Sequence, residues 1–418
     1  MSAPYEAFAE RLLATGIIND PWLDGRPRFR AEPVLYSRVQ QADLYRAAEA
    51  VAAVYDELVG ICAGDAALID DFFALSPFQR LMWTASFPLW HGVARADAFF
   101  TADGGVAICE LNSDTPTGQA EAVLLNRLAL ESARDAEDPN VELGARFCAM
   151  IEAYATNLLA PEARVAPLSI GIVYPTEITE DLPLVRLYRT WFEERGWTVA
   201  MGSPYNLART SGLGVGLFDS PCAVILRHYK TDWWGERLPV WDDDEPFPDP
   251  APLAGPLSAL FEALLERRCV MVNPFGAVLT QNKRSMAFMW EHKDRFSASA
   301  QAAIEAHVPR TSRLELLDPE LLVAERADWV LKSDYGCEGD EVIIGRHVDP
   351  QTWNASLIHA VPGRWIAQRY FAALEGPEGE SVNHGVFLVA GEAAGLYARV
   401  QRGPTDVHAE SAPALIVP

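Results

Sequence analysis

Residues 95–114, RADAFFTADGGVAICELNSD, hold the densest set of groups suited to chemistry in this chain. Two short extended runs flank Asp103-Gly104, the dipeptide that best fits the positive backbone angles of a tight hairpin turn. With a two-residue loop, Ala102 faces Gly105, Asp97 falls opposite Glu110, and Arg95 falls opposite Asn112. All four side chains then share one face, because strand residues two apart point the same way. Two carboxylates held across a ladder repel, so the hairpin needs positive charge between them. A hard divalent cation takes oxygen ligands of the kinds that Asp97, Glu110 and Asn112 offer, and Arg95 beside them suits further negative charge such as phosphate. A three-residue turn would shift the register by one and put the pairs on opposite faces. The competing reading is a solvated polar face on an edge hairpin.

The final third of the chain adds three stations for an anionic nucleotide. Lys283 stands at the head of a helical run, where a lysine and the helix's N-terminal donors can meet phosphate together. Lys332 ends an apolar strand that leads into Gly336, Cys337, Glu338 and Gly339, a loop whose glycines let backbone approach phosphate closely. The strand-loop-strand context is neither a Walker nor a dinucleotide-binding motif. Ile366, Ala367 and Gln368 form an extended segment whose backbone can pair with an adenine edge, a buried strand being the alternative. Arg399 closes a late hairpin and can bring a guanidinium to the phosphates.

The elements that carry these groups are legible in outline. Apolar residues recur at helical spacing over 41–60, and the aromatic stretch over 72–90 reads as core. Residues 116–130 read as a helix, capped by Thr115 or Thr117. From residue 166 onward, strands over 169–174, 197–201, 223–227 and 270–273 alternate with helices over 184–195 and 257–267, as in a layered α/β unit. Residues 241–256, rich in Pro and Asp, read as an irregular acidic loop, solvated or attractive to an amine. These features divide the chain into an N-terminal region (1–165) with the hairpin, an α/β domain (166–275) and a nucleotide-binding region (276–418).

Bulk composition narrows the class. The chain has 418 residues, half of them apolar, enough for more than one core. Acids outnumber Lys and Arg by 58 to 34, for a net charge of −24, which argues against nucleic acid or an anionic membrane as partner. No run approaches the ~20 apolar residues of a membrane span, and the N-terminus lacks the basic start of a signal peptide. The six cysteines are scattered without a C-x-x-C pair, as expected of reduced thiols in a cytoplasmic protein.

Taken in order, R-A-D, E-L-N-S-D-T-P, Q-N-K, V-L-K with G-C-E-G, I-A-Q, and the segment from Gly395 to Arg399 resemble the glutathionylspermidine synthase family, in its synthetase half. The resemblance implies an α/β ATP-grasp ligase fold with a pre-ATP-grasp-like domain. It further implies an ATP-dependent ligase that joins a carboxylate, such as a glutathione-like peptide, to an amine, such as a polyamine, through an acyl phosphate. By that resemblance Asp97, Glu110 and Asn112 hold Mg2+, and Arg95 stabilises phosphoryl transfer. Lys283, Lys332, Gly336, Cys337, Glu338, Gly339, Ile366, Ala367 and Gln368 bind ATP, Arg399 contacts its phosphates, and Thr115 touches the peptide substrate. Two positions depart from the family pattern: Lys332-Ser333 stands for Lys-Pro, and Gly336-Cys337 for Gly-Arg. The second removes a cation and admits a catalytically weakened nucleotide-binding protein as an alternative.

Overall fold

The helical stripe over 41–60 belongs to a 27-residue helix, Arg38–Gly64, whose inner face buries Leu44, Ala47, Val51, Val54 and Leu58. It starts ahead of the apolar repeat because Ser37 and Gln40 cap each other. Ser37 Oγ accepts from the Gln40 N–H (3.2 Å), and Gln40 Oε1 accepts from the Ser37 N–H (2.9 Å). The computed structural model describes residues 3–86, 89–236, 253–336, 342–360, 364–403 and 408–418. Cys337, Glu338 and Gly339, and most of the acidic loop over 241–256, lie outside the described residues.

The long helix packs on an antiparallel five-stranded sheet drawn from both ends of the chain: Glu410–Ala412, Glu392–Arg402, Glu380–Val389, Val93–Phe100 and Val106–Asn112, in that order. Strand alternation gives this sheet two faces of opposite character. Ala94, Ala96, Ala98, Ile108, Leu111, Val386, Leu388, Leu396 and Ala398 join the core around the long helix. The residues between them, Arg95, Asp97, Glu110 and Asn112 with Asn383, Gly385, Tyr397 and Arg399 across the ladder, form the other face. Phe72, Phe73, Trp83 and Trp90 are core, as their density suggests.

The middle of the chain builds a four-stranded parallel sheet, ordered Val270–Val272, Val224–Arg227, Ser169–Val173, Thr198–Gly202. Helices Leu143–Leu158, Leu182–Glu194 and Ala254–Leu265 contribute to the cores on its faces. That is why its strands read as continuous apolar runs rather than as alternating ones. A third, antiparallel sheet runs Thr311–Arg313, Trp365–Arg369, Trp329–Ser333, Val342–Ile344.

One side chain stitches the parallel sheet to the hairpin. Asn273, just past Val270–Val272, accepts the N–H groups of Gly92 (2.8 Å) and Val93 (2.9 Å) on its amide oxygen. Its nitrogen donates to the carbonyls of Val93 (2.8 Å), Ser113 (3.1 Å) and Asp114 (3.0 Å), so a single amide clamps both ends of the hairpin. Among the described residues, no helix is long and apolar enough to cross a membrane.

Candidate active site

The hairpin has the predicted pairs by an unpredicted route. Arg95 faces Asn112 and Asp97 faces Glu110, but beyond them Ala98 pairs with Ile108 and Phe100 with Val106. The turn is a three-residue one: the Thr101 N–H reaches the Gly105 carbonyl at 3.0 Å, leaving residues 102–104 as the loop, with Gly104 at φ 91°. Such a turn moves the register by one. The extra residue Cys109, bulged between Ile108 and Glu110, moves it back. The bulge also has a use, because the Cys109 carbonyl accepts from Lys332 Nζ at 3.1 Å.

The positive charge the carboxylate pair requires comes from the chain. Arg95 grips Asp97 twice, Nε to Oδ1 at 2.6 Å and Nη2 to Oδ2 at 3.1 Å, and anchors its third nitrogen on the Thr117 carbonyl at 2.8 Å. Arg399 adds a bond to Asp97 Oδ2 at 2.8 Å. Burial alone would push the Asp97 carboxyl up, but the charges of Arg95 and Arg399, with hydrogen bonds from Arg95 and Asn383, outweigh it and hold it below the usual carboxylate range. Gly385, directly across from Asp97, leaves room for this: a Cβ there would sit 2.8 Å from Arg95 Cδ.

The two lysines arrive from the opposite wall. Lys283, 4% exposed, lies 3.3 Å from Glu110 Oε1, and its Nζ donates to the Gly336 carbonyl at 2.5 Å. Lys332, also buried, donates to Gln368 Oε1 at 2.8 Å besides Cys109. Gln281 reaches the hairpin's end as well, accepting the N–H groups of Ser113 (2.9 Å) and Asp114 (3.1 Å). With its amide nitrogen turned to Glu110 (3.2 Å), Asn112 offers its oxygen to Arg95 at 3.3 Å. Ser333 accepts the Gly336 N–H at 3.0 Å. Hairpin acids and lysines from more than 150 residues later therefore share one site.

Three expectations are corrected by the geometry. The helix after Lys283, Arg284–Glu291, offers no free N-terminal donors of the expected kind, since the Arg284 N–H goes to Asn282 Oδ1 (2.9 Å) and the Ser285 N–H to the Asn282 carbonyl (2.9 Å). Ile366, Ala367 and Gln368 form the central strand of their sheet, laddered to Thr311–Arg313 on one side and Trp329–Ser333 on the other, so their backbone has no free edge for adenine. Neither Thr115 nor Thr117 caps the next helix. Gln119–Leu130 begins after Gly118 at φ 100°, where a Cβ would strike the Tyr397 ring at 2.7 Å. Thr115 itself is half-buried beside the site.

Sequence reading missed the brace behind the site. Asp114 is buried and accepts from Arg227 Nη2 (2.6 Å), Thr231 Oγ1 (2.6 Å) and the Thr231 N–H (2.8 Å). Arg227, fully buried, also donates to the carbonyls of Asn273 (2.9 Å) and Tyr229 (2.6 Å). The ELNSD motif held Asp114 in view, but its partner lies 113 residues away, beyond any local pattern.

The donor set fits a hard cation. Two carboxylates and the Asn112 amide share one polar face. Among the described residues there is no group of three or more His, Cys, Asp and Glu that could hold a metal. A closed protein cage is thus not what these residues make. They suit a cation such as Mg2+ that takes its remaining ligands from phosphate and water.

The sequence pattern described as glutathionylspermidine synthase preATP-grasp matches residues 31–417. No curated protein matches the chain. Among solved structures, a glutathione synthetase-like effector from Globodera pallida in its apo form superposes with a TM-score of 0.60 at 10% identity, covering 98% of this chain and 96% of its own. A putative gamma-glutamylcysteine synthetase from Methylobacillus flagellatus KT gives 0.49 at 14% identity, covering 91% and 89%. The fold is α/β and ATP-grasp-like.

Proposed function

The chain belongs to the glutathionylspermidine synthase pre-ATP-grasp family, and from that premise we propose that it is an ATP-dependent ligase forming an amide bond between a small-molecule carboxylate and an amine. What supports the reading most is the meeting of the hairpin with the two distant lysines: Lys283 on Glu110 at 3.3 Å and Lys332 on the Cys109 carbonyl at 3.1 Å. A carboxylate is a poor acyl donor. Transfer of a γ-phosphoryl group to it gives an acyl phosphate that an amine can attack, and the protein's work is then mainly positioning and charge compensation.

In this reading Asp97, Glu110 and Asn112 hold Mg2+, which when bound with ATP neutralises charge at the transferring phosphoryl group. Arg95, fixed on Asp97 and the Thr117 carbonyl, presents a guanidinium that needs no reorganisation during transfer. Lys283 and Lys332 hold the triphosphate, and Arg399 leaves Asp97 for the phosphates. Thr115, by the family resemblance, touches the peptide-like carboxylate. A glutathione-like peptide and a polyamine are the substrate classes the family suggests.

The test is an ADP-release screen of carboxylate and amine pairs, with glutathione and polyamines included. Release that needs both partners, and that falls at least a hundredfold in Arg95→Ala, is the expected result. ATP turnover that is indifferent to every acid and amine would overturn the assignment.

A further inference from the structure

We propose that Gln281 is a positioning residue for the divalent cation of this site: it selects the setting of the Asn112 amide in which the oxygen is turned to the cation. The inference rests on the ATP-dependent reading above. Gln281 has no rotational choice of its own. Its Oε1 accepts the N–H groups of Ser113 (2.9 Å) and Asp114 (3.1 Å), which the nitrogen end of an amide cannot do. On either side of it, Thr280 Oγ1 shares a hydrogen bond with Ser113 Oγ at 2.7 Å and Lys283 lies 3.3 Å from Glu110 Oε1, so the run 280–283 is docked along 110–114. Gln281 Nε2 is therefore a donor fixed in place, and it lies 3.3 Å from one terminal atom of the Asn112 amide.

That same terminal position is 3.2 Å from Glu110 Oε1. The two neighbours make opposite demands on it. Glu110, an acceptor, calls for the amide nitrogen there, whereas the Gln281 donor calls for the oxygen. While Glu110 carries no cation it prevails, helped by Arg95 Nη2, which takes the amide oxygen at 3.3 Å, and the N–H groups of Gln281 and Asn112 then face each other. A cation reverses the balance. Once Glu110 ligates it, an Asn112 oxygen beside Glu110 Oε1 becomes favourable, and the Gln281 N–H has its acceptor. A partner outside the ligand set thus orients a ligand, and in metal sites the loss of such a partner typically weakens binding by roughly ten- to a hundredfold.

The experiment measures Mn2+ binding by electron paramagnetic resonance with a non-hydrolysable ATP analogue and no amine, over a double-mutant cycle of wild type, Gln281→Met, Asn112→Asp and the two changes together. A carboxylate at position 112 presents oxygen in either setting and leaves Gln281 nothing to select. Gln281→Met should weaken Mn2+ binding at least tenfold in the wild-type background and about threefold or less in the Asn112→Asp background. A role confined to holding the Ser113 and Asp114 backbone costs the same in both. Equal losses, or wild-type affinity in Gln281→Met, overturn the inference. Should a variant fail to fold or to bind Mn2+, nuclear magnetic resonance of the Asn112 side-chain amide in wild type decides. Its protons should move upfield as they leave Glu110 on addition of Mg2+ and the analogue, and protons that stay in place overturn the inference. Wild type that binds no Mn2+ with the analogue would overturn the ATP-dependent reading itself, whereas wild-type binding with equal losses across the cycle would overturn only the role of Gln281.

Discussion

Replacing Arg399 by alanine should make the protein bind a divalent cation more tightly when no nucleotide is present, and bind Mg2+-ATP less tightly. Asp97 meets guanidinium groups on both oxygens, and the Arg399 nitrogen lies 2.8 Å from Oδ2, where a cation would need to approach. Arg95 is almost enclosed, with side-chain exposure of 9%, and has a third anchor on Thr117. Arg399, at 21%, is the freer of the two. Two unit charges about 4 Å apart interact by about 4 kcal/mol at an effective dielectric of 20 and by about 1 kcal/mol in water. A partly exposed guanidinium falls between these limits, so its removal should relieve about 1.4 to 2.8 kcal/mol of repulsion, roughly a ten- to hundredfold gain in metal-only affinity. Calorimetric titration of wild type and Arg399→Ala with Mn2+ alone, then with Mn2+ and ATP, reads both effects. Opposite signs are expected. A variant whose metal-only affinity is unchanged or lower would refute the idea that Arg399 stands in for the cation.

Other expectations follow from the same contacts. Burial holds His384 down to about 3, with its Nδ1 on the Tyr36 hydroxyl at 2.8 Å. The folded value lies below the ordinary one near ~6.5, so its contribution is fully present above that pH and is lost as pH falls toward the folded value. The slope is about 1.4 kcal/mol per pH unit, and His384→Gln should lose about 2 to 3 kcal/mol less than wild type between pH 6.5 and 4.5 in urea unfolding. Asn273→Ala leaves the N–H groups of Gly92 and Val93 without their acceptor and should cost roughly 3 to 5 kcal/mol. A loss within the scatter of surface substitutions would contradict the clamp. Gly385→Ala presses on Arg95 and should cost about 1 to 3 kcal/mol while lowering ADP release, checked by thermal unfolding and turnover together.

What could be read in the sequence was what is local. The alternation of the hairpin, the stripe of the long helix and the βα rhythm over 169–272 each depend on neighbours within a few residues, and each forms close to where its pattern lies. The facing of Asp97 and Glu110 was reached through an incorrect turn, because the three-residue loop and the Cys109 bulge cancel. No residue at 109 announces a bulge, and its reason is the Lys332 ammonium from a distant strand. The Ser37–Gln40 capping box was a usable signal for the helix start. Arg227, Asn273 and Asn383 were not legible. They are polar residues in or beside strands, and their partners sit 113, 180 and 286 residues away. The joining of residues 93–112 with 380–412 in one sheet is likewise a long-range pairing that periodicity does not encode.

The central claim is that hairpin acids and distant lysines hold one Mg2+-triphosphate. Calorimetric titration of wild type, Lys283→Ala and Lys332→Ala with Mg2+-ATP tests it directly. Wild-type binding, with at least a tenfold loss in each variant measured well below its own melting temperature, is the predicted result. No binding by wild type, or equal affinity in all three proteins, would contradict it.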